Sequence, residues 1–349
     1  NDNGEVLNAL SPLQYNPGHD RICENDGRGG MSIRPFTTET NEIRTGLGLL
    51  ITNFLDHKPG NEIFVGNDLY PDQLWVRDPT TGTWSDVALA LGCAFGIRGS
   101  KTASMGIAAG DFDNSGTIDL HITNYQDRNA SLFLNLGEAF LERNVQYGLA
   151  ADSQSVLGFG SQAIDYDNDG DRDLVVTNGH IEQSLSIQAP FEQPPQLFSN
   201  LGGRFELVAV EDPSGYWSGK HLGRGLARLD FNRDGKDDFA VTHLGEQSAL
   251  LINQTETTNH WIQVRLAGVE SERDVIGAKF KIRFDDRVAT NWVIAGDGYF
   301  CRNETTVSFG LGGATEIAEI SITWPTGNEQ RIENVAADQR LLIVEDQPE

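Results

Sequence analysis

AIDYDNDGDRDLVVTN (163–178) sets Asp165, Asp167, Asp169, Asp171 and Asp173 at alternate positions, with Gly170 after the third. Carboxylates packed this closely repel one another unless a cation gathers them. Two further stretches keep the pattern: IAAGDFDNSGTIDLHITN (107–124) and ARLDFNRDGKDDFAVTH (227–243). Their common spacing is D-x-[DN]-x-[DS]-G-x-x-D. Positions 1, 3, 5 and 9 carry side-chain oxygens, and position 7 offers a backbone carbonyl. The second repeat thus supplies Asp111, Asp113, Ser115 and Asp119 with the Thr117 carbonyl. The third supplies Asp165, Asp167, Asp169 and Asp173 with that of Asp171, and the fourth Asp230, Asn232, Asp234 and Asp238 with that of Lys236. Ca2+ takes about six to eight such hard oxygens, and a glycine at position 6 permits the turn that folds them inward. Position 12 is Ile122, Val176 or Val241 rather than the bidentate Glu of an EF-hand, and a strand follows each loop. About three Ca2+ are expected, each pinning a turn. A metal-free Asx turn is the competing reading.

A worn copy, LITNFLDHKPGNEIFVGN (50–67), has Asn53, Leu55 and His57 at the ligand places and is expected to be empty. In every copy a glycine stands five residues before the loop: Gly48, Gly106, Gly160 and Gly225. Each unit reads as four short β-prone runs separated by Gly, Asn and Asp turns. No long segment shows helical periodicity. Four strands repeated radially are the signature of a β-propeller blade, so the expected fold is all-β. The repeats divide near 44–103, 104–156, 157–222 and 223–256. Residues 1–43 are irregular, although MSIRPF could add an outer strand to a blade. From 257 to 349 the repeat gives way to six strand-like runs, expected to form a separate sandwich.

At these residues the chain resembles the FG-GAP/VCBS repeat family, the integrin-α-type β-propeller. NHWIQVRLAGVESERDVIGAKFKIRF, GDGYF, FGLGGA and ITWPTGNEQ resemble the ASPIC/UnbV domain. VGNDLYPDQLW and PPQLFSN resemble the repeats that precede that domain in cartilage acidic protein-like proteins. Glu272 departs from the SNRDAIGA pattern, and Cys301 replaces a small polar residue. The resemblance implies a Ca2+-binding propeller. Relatives often build seven blades where four repeats are visible here. The N-terminal segment and the C-terminal strands complete the ring, or the ring is small, or part of it is missing.

Charge and motifs narrow the function. Lys+Arg number 26 and Asp+Glu 51, a net of −25. That balance disfavours nucleic acid and anionic membranes as partners. There is no apolar run of eighteen residues to span a bilayer. Cys23, Cys93 and Cys301 form no metal-binding pair and are either three thiols or one Cys23–Cys93 bridge. If the acidic loops are A–B turns, each B strand ends on the opposite face, at Asn67, Asn124, Asn178 and His243. Asp68, Tyr70, Tyr125 and His180 follow closely. In a closed ring they converge at the channel mouth, although Asn there also closes turns. Two functions follow. One is a secreted (extracellular or periplasmic) calcium-binding module that recognises a protein, glycan or polar small molecule through Asn67, Asn124, Tyr125 and Asn178. The other is a cyclase, lyase or isomerase using His180, His243, Tyr70 and Asp68 as acid–base residues. No G-x-S-x-G, P-loop or HExxH is present, and binding is favoured over catalysis.

Overall fold

The computed structural model describes residues 17–36, 44–58, 60–182 and 190–346. A hairpin of β1 (Arg21–Asn25) and β2 (Met31–Pro35) comes first. Then come β3 (Gly46–Thr52), β4 (Glu62–Asn67), β5 (Gln73–Arg77) and β6 (Trp84–Asp86), and β7 (Ile107–Gly110), β8 (Asp119–Ile122), β9 (Ser131–Asn135) and β10 (Phe140–Glu142). The third group is β11 (Gly158–Ile164), β12 (Asp173–Asn178), β13 (Gln196–Asn200) and β14 (Phe205–Leu207). The fourth is β15 (Gly223–Leu229), β16 (Asp238–His243) and β17 (Ala249–Leu251). Each group is an antiparallel meander in chain order, so the repeats are propeller-like blades. Three have four strands, but the fourth stops at three, because the chain leaves β17 for the C-terminal unit. MSIRPF adds to no blade. Its strand β2 pairs with β1, and Phe36 sets the hairpin against Trp75 and Trp84 at 5.2 Å from each ring.

The blades pack face to face. Leu50, Phe64, Ile107 and Leu120 fill the first interface, Ala108, Phe112, Leu174 and Phe198 the second, and Ile164, Val175, Leu226 and Phe239 the third. Burial on both faces explains why β8 and β12 are buried along their whole length instead of alternating. The recurrent glycines sit at these contacts. A Cβ on Gly48 would meet the Met105 carbonyl at 3.0 Å, one on Gly106 the Phe159 carbonyl at 1.9 Å, and one on Gly160 the Arg224 carbonyl at 2.8 Å. Each inner strand thus presses backbone against the next.

A second repeating device went unread in the sequence. In the second, third and fourth blades an Asn at or just past the end of the third strand reaches back to the turn of the preceding blade. Asn135 Nδ2 donates to the Phe54 carbonyl at 3.0 Å, Asn200 Nδ2 to that of Phe112 at 2.9 Å, and Asn253 Nδ2 to that of Tyr166 at 2.8 Å. Its only trace is an Asn closing the third run of the second, third and fourth repeats (LFLN, LFSN, LLIN), where the first repeat has Arg77. Asn200 is buried and also serves the Arg172 carbonyl. Asn200→Ala is expected to cost about 2–3 kcal/mol by stranding two buried carbonyls. Urea unfolding in calcium buffer measures it, and a loss below about 0.5 kcal/mol would refute the latch.

The C-terminal unit contains β18 (His260–Ala267), β19 (Lys279–Phe284), β20 (Arg287–Trp292), β21 (Val307–Gly312), β22 (Glu316–Thr323), β23 (Glu329–Ala336) and β24 (Gln339–Val344). They form a sandwich of two sheets, β21-β18-β24 and β20-β19-β22-β23, around Ile262, Phe280, Phe309 and Ile320. There are seven strands rather than six. The extra one, β23, is a mostly exposed edge with little apolar content to announce it.

This sandwich is not separate from the blades. Residues 295–304 leave it and run between the inner strands. Ile51 N–H donates to the Ala295 carbonyl at 2.8 Å, and Ile107 pairs with Gly298. The segment turns at Tyr299–Phe300, with Tyr299 packed on Phe159 at 5.1 Å. It returns past Leu226, where the Cys301 thiol reaches the carbonyl at 3.1 Å, and Asn303 Oδ1 accepts the Arg228 N–H at 2.8 Å. A Cβ on Gly225 would meet the Tyr299 carbonyl at 3.2 Å, so the plug stands where a following blade would press. The glycines of GDGYF are required here. Gly296 and Gly298 have φ of 88° and 97°, and their hydrogens face the Leu49 carbonyl and the Cys301 sulfur.

Candidate functional site

Each acidic loop is a nest of short hydrogen bonds from backbone to carboxylate. Asp111 accepts the Ser115 and Gly116 N–H groups at 2.9 and 2.8 Å. Asp165 accepts that of Gly170 at 2.9 Å, and Asp230 those of Asp234 and Gly235 at 3.2 and 3.0 Å. Position 4 is left-handed in all three (Asn114, Asn168 and Arg233), as is the glycine at position 6. The last Asp ties the loop to its sheet. In the second repeat Asp119 accepts Phe112 N–H on one oxygen and Asn135 N–H on the other. Asp173 and Asp238 repeat this with Tyr166 and Asn200, and with Phe231 and Asn253.

Ligand oxygens of Asp111, Asp113 and Asp119 lie within 4.8 Å of one another, and so do those of Asp165, Asp167 and Asp173. The loop of the fourth repeat does not draw Asp230, Asp234 and Asp238 together to that distance, and its position 3 is the neutral Asn232. The ligand-place side chains of Ser115 and Asp169 stay within their own turns: Ser115 Oγ meets Thr117 Oγ1 at 2.7 Å, and Asp169 Oδ1 accepts the Asp171 N–H at 2.8 Å. Lys236 sends its ammonium to the Thr255 carbonyl, leaving its own carbonyl to the loop.

The two close clusters fit a hard cation. Burial pushes the Asp111 carboxyl up to about 6, Asp165 to about 7 and Asp173 to about 9, and raises Asp119 well above the usual range. Neighbouring carboxylates add to each shift. Asp165 is 3% exposed, and its Oδ1 has no hydrogen-bond partner. A buried, unpartnered carboxylate oxygen aimed at other carboxylates is costly unless a cation completes it. In the first blade Leu55 is buried, and Glu62 takes over the tying role, accepting Phe54 N–H at 2.7 Å with its carboxyl pushed up to about 7. A one-residue lengthening of this loop moved that acid one place beyond the matching position, which hid it from the spacing.

The sandwich covers the acidic loops. Lys279 Nζ lies 2.5 Å from Asp56 and 3.0 Å from the Gly116 carbonyl. Arg287 donates to the Asp169 carbonyl at 2.7 Å, and Gln263 to Asp230 at 2.9 Å. Gly310 lies so close to the third loop that a Cβ would stand 2.1 Å from Asp165 Oδ2, and Trp261 lies over Gly235 in the same way.

The opposite face differs from the sequence expectation. Asn67, Asn124 and Asn178 do not line a channel mouth. Their side chains close local turns, onto the carbonyls of Pro71, Asn129 and Pro194 at 2.9, 3.0 and 2.9 Å. The centre is filled by the plug, so no channel gathers them. His180 does meet Tyr125, Nε2 to hydroxyl 3.2 Å, while Nδ1 bonds Glu182 and burial lowers its pKa. His243 belongs to another group, with Nε2 2.9 Å from the Tyr216 hydroxyl and His221 alongside. Tyr70 stands under Lys101, and Asp68 is buried with its carboxyl raised by desolvation. Cys23, Cys93 and Cys301 are free thiols.

Asp72 ties the first blade to the second. It accepts Asn67 N–H and the Ser104 hydroxyl, both at 2.8 Å, and burial pushes its carboxyl up to about 7. A carboxyl raised by folding costs stability once ionised. The loss accrues as pH rises from about 4 to about 7 and then levels, on the order of 4 kcal/mol for such a shift. Asp72→Asn is expected to remove that slope, seen as a smaller drop in urea midpoint between pH 4.5 and 7.5. Identical slopes in both proteins would rule it out.

Residues 268–349 match the family model described as ASPIC and UnbV. The sandwich begins earlier, at His260, because β18 pairs with both β21 and β24. The chain is 21% identical over 318 residues to cartilage acidic protein 1 of Xenopus tropicalis, covering 88% of this chain and 46% of that protein. It is 22% identical over 347 residues to the Mus musculus protein, covering 94% and 50%, and 22% over 349 residues to the Homo sapiens one, covering 95% and 49%. The chain therefore spans about half the length of these relatives. A solved Agrocybe aegerita lectin, titled for recognition of non-reducing terminal N-acetylglucosamine, aligns over 67% of this chain and 60% of its own at TM-score 0.36 and 14% identity, too distant to carry an argument. The chain ends in an ASPIC/UnbV domain and is weakly homologous along most of its length to cartilage acidic protein 1.

Proposed function

We propose that this protein is a secreted, calcium-stabilised binding module that recognises a protein or glycan through the face opposite its acidic loops. One observation carries the reading. The loop face is covered by the sandwich, whereas the tip of the plug emerges on the other side with Phe300 81% exposed. Phe300 also has φ of 44°, a conformation that bulky residues avoid, and it packs edge-on to Tyr299 at 4.6 Å. Strain and exposure together at one aromatic suit a contact residue. Tyr125, which meets His180, and Arg224, which stacks over Phe159 at 4.0 Å, supply polar groups near the neighbouring Tyr299. Similarity to proteins named for cartilage supports an extracellular setting, where millimolar calcium fills even weak sites.

Arrays of glycans and of extracellular domains, probed in calcium buffer, test this. Phe300→Ser is expected to weaken a recognised ligand at least about 30-fold, as for a central aromatic anchor, with calcium content and melting unchanged. Exposed Leu141, away from the plug on β10, is the control. A ligand indifferent to Phe300→Ser would end this reading. Turnover of a bound compound, lost in His180→Ala, would replace it with the enzymatic one.

A further inference from the structure

In a chain of net charge −25, arginines gather around one groove. Arg233, Arg265, Arg273 and Arg340 line a concavity of about 570 Å³ with Leu266 and Leu342 among its apolar wall. The groove lies at the seam of the two units. Arg233 comes from the fourth acidic loop, where its φ of 61° holds it outward, and Arg265 and Leu342 are partners across β18 and β24. Arg273 comes from the loop after β18. Two acids share the groove, and both are engaged: Glu304 holds Arg340 at 2.5 Å, and Asp274 lies 3.3 Å from Arg302. Among the described residues, no acid pairs with Arg233, Arg265 or Arg273, and all three are exposed.

We propose that this groove binds a small organic anion: an apolar body carrying one or two sulfate, phosphate or carboxylate groups. Volume, apolar lining and a few convergent polar groups match the usual ligand site. Planar guanidinium groups favour oxyanions through paired N–H donors, and a shared apolar wall favours a ligand with a hydrophobic body over a bare ion. The surrounding negative charge argues against a long polyanion, which would be repelled beyond the groove.

The probe is anilinonaphthalene sulfonate, titrated by fluorescence into the folded full chain in calcium buffer. One saturable site is expected, weakened at least about tenfold by Arg265→Glu combined with Arg273→Glu, since each lost charged contact is worth a kilocalorie or more. Arg331→Glu, on β23 and paired with Glu319, is expected to change nothing. Melting curves confirm that the variants are folded. Naphthyl phosphate and naphthoate should compete, and their order tells which oxyanion fits best, whereas the neutral naphthyl amide should not compete. No saturable site, equal affinity in the double variant, or equal competition by the amide would overturn the proposal.

Discussion

Chelation with EGTA is expected to lower the melting temperature by roughly 5–10 °C and to release about two Ca2+ per chain from the tight clusters at Asp111–Asp119 and Asp165–Asp173. A ligand at one hundred times its dissociation constant stabilises by about 2.7 kcal/mol per site, so two sites contribute about 5 kcal/mol. In a chain of this size each kcal/mol moves the midpoint by about 1–2 °C. The effect should not stay in the blades. Lys279, Arg287 and Gly310 of the sandwich rest on these same loops, so hydrogen exchange in β19 and β21 should quicken with chelation. Asp165→Asn sharpens the test. It removes a ligand and one buried negative charge together. The variant should melt lower than the parent in calcium, yet equal to or above it in EGTA. No bound metal by atomic emission, with identical melts in both buffers, would show the loops to be metal-free turns.

The second large effect is expected at Gly106. A Cβ there would stand 1.9 Å from the Phe159 carbonyl oxygen, 2.9 Å from its carbon and 3.1 Å from Ser161 N. All three are backbone atoms of the next blade, so no side chain can swing aside. Relief requires prying β7 from β11. Overpacking ordinarily costs about 1–3 kcal/mol, and against backbone the upper end or more is expected. Gly106→Ala should lose at least about 3 kcal/mol by denaturant unfolding, or fail to accumulate as folded protein. Gly313→Ala, with open space around its hydrogens, should change stability by less than about 0.5 kcal/mol. A stable Gly106→Ala would mean that the blades are not in backbone contact there.

Local chemistry made the blades legible. The turn acids, the glycine at position 6 and the short apolar runs act within a dozen residues, so β7 to β10 are the four short runs expected of that repeat. The two close acidic clusters are likewise spacing made into geometry, because a tight turn must bring alternate side chains inward. The glycines before the loops were visible as a pattern, but their reason was not, since the carbonyl that excludes a side chain belongs to the next repeat.

Only the tertiary structure decided the rest. Asn61 meets the Ile276 carbonyl across 215 residues, and Lys279 meets Asp56 across 223. No local pattern encodes such pairs. In the sequence GDGYF only added to the resemblance of the C-terminal unit, but it crosses between the blades and fills the place where a channel was expected. That reassigned Asn67, Asn124 and Asn178 to turn closure and left Phe300 as the exposed centre of the free face. By itself the sequence determined the repeating unit, its turns and its acidic loops, because those follow from short-range sterics and charge. Which face is covered, which is open and what fills the middle follow from how two β units dock, and docking depends on surfaces assembled from residues hundreds of positions apart.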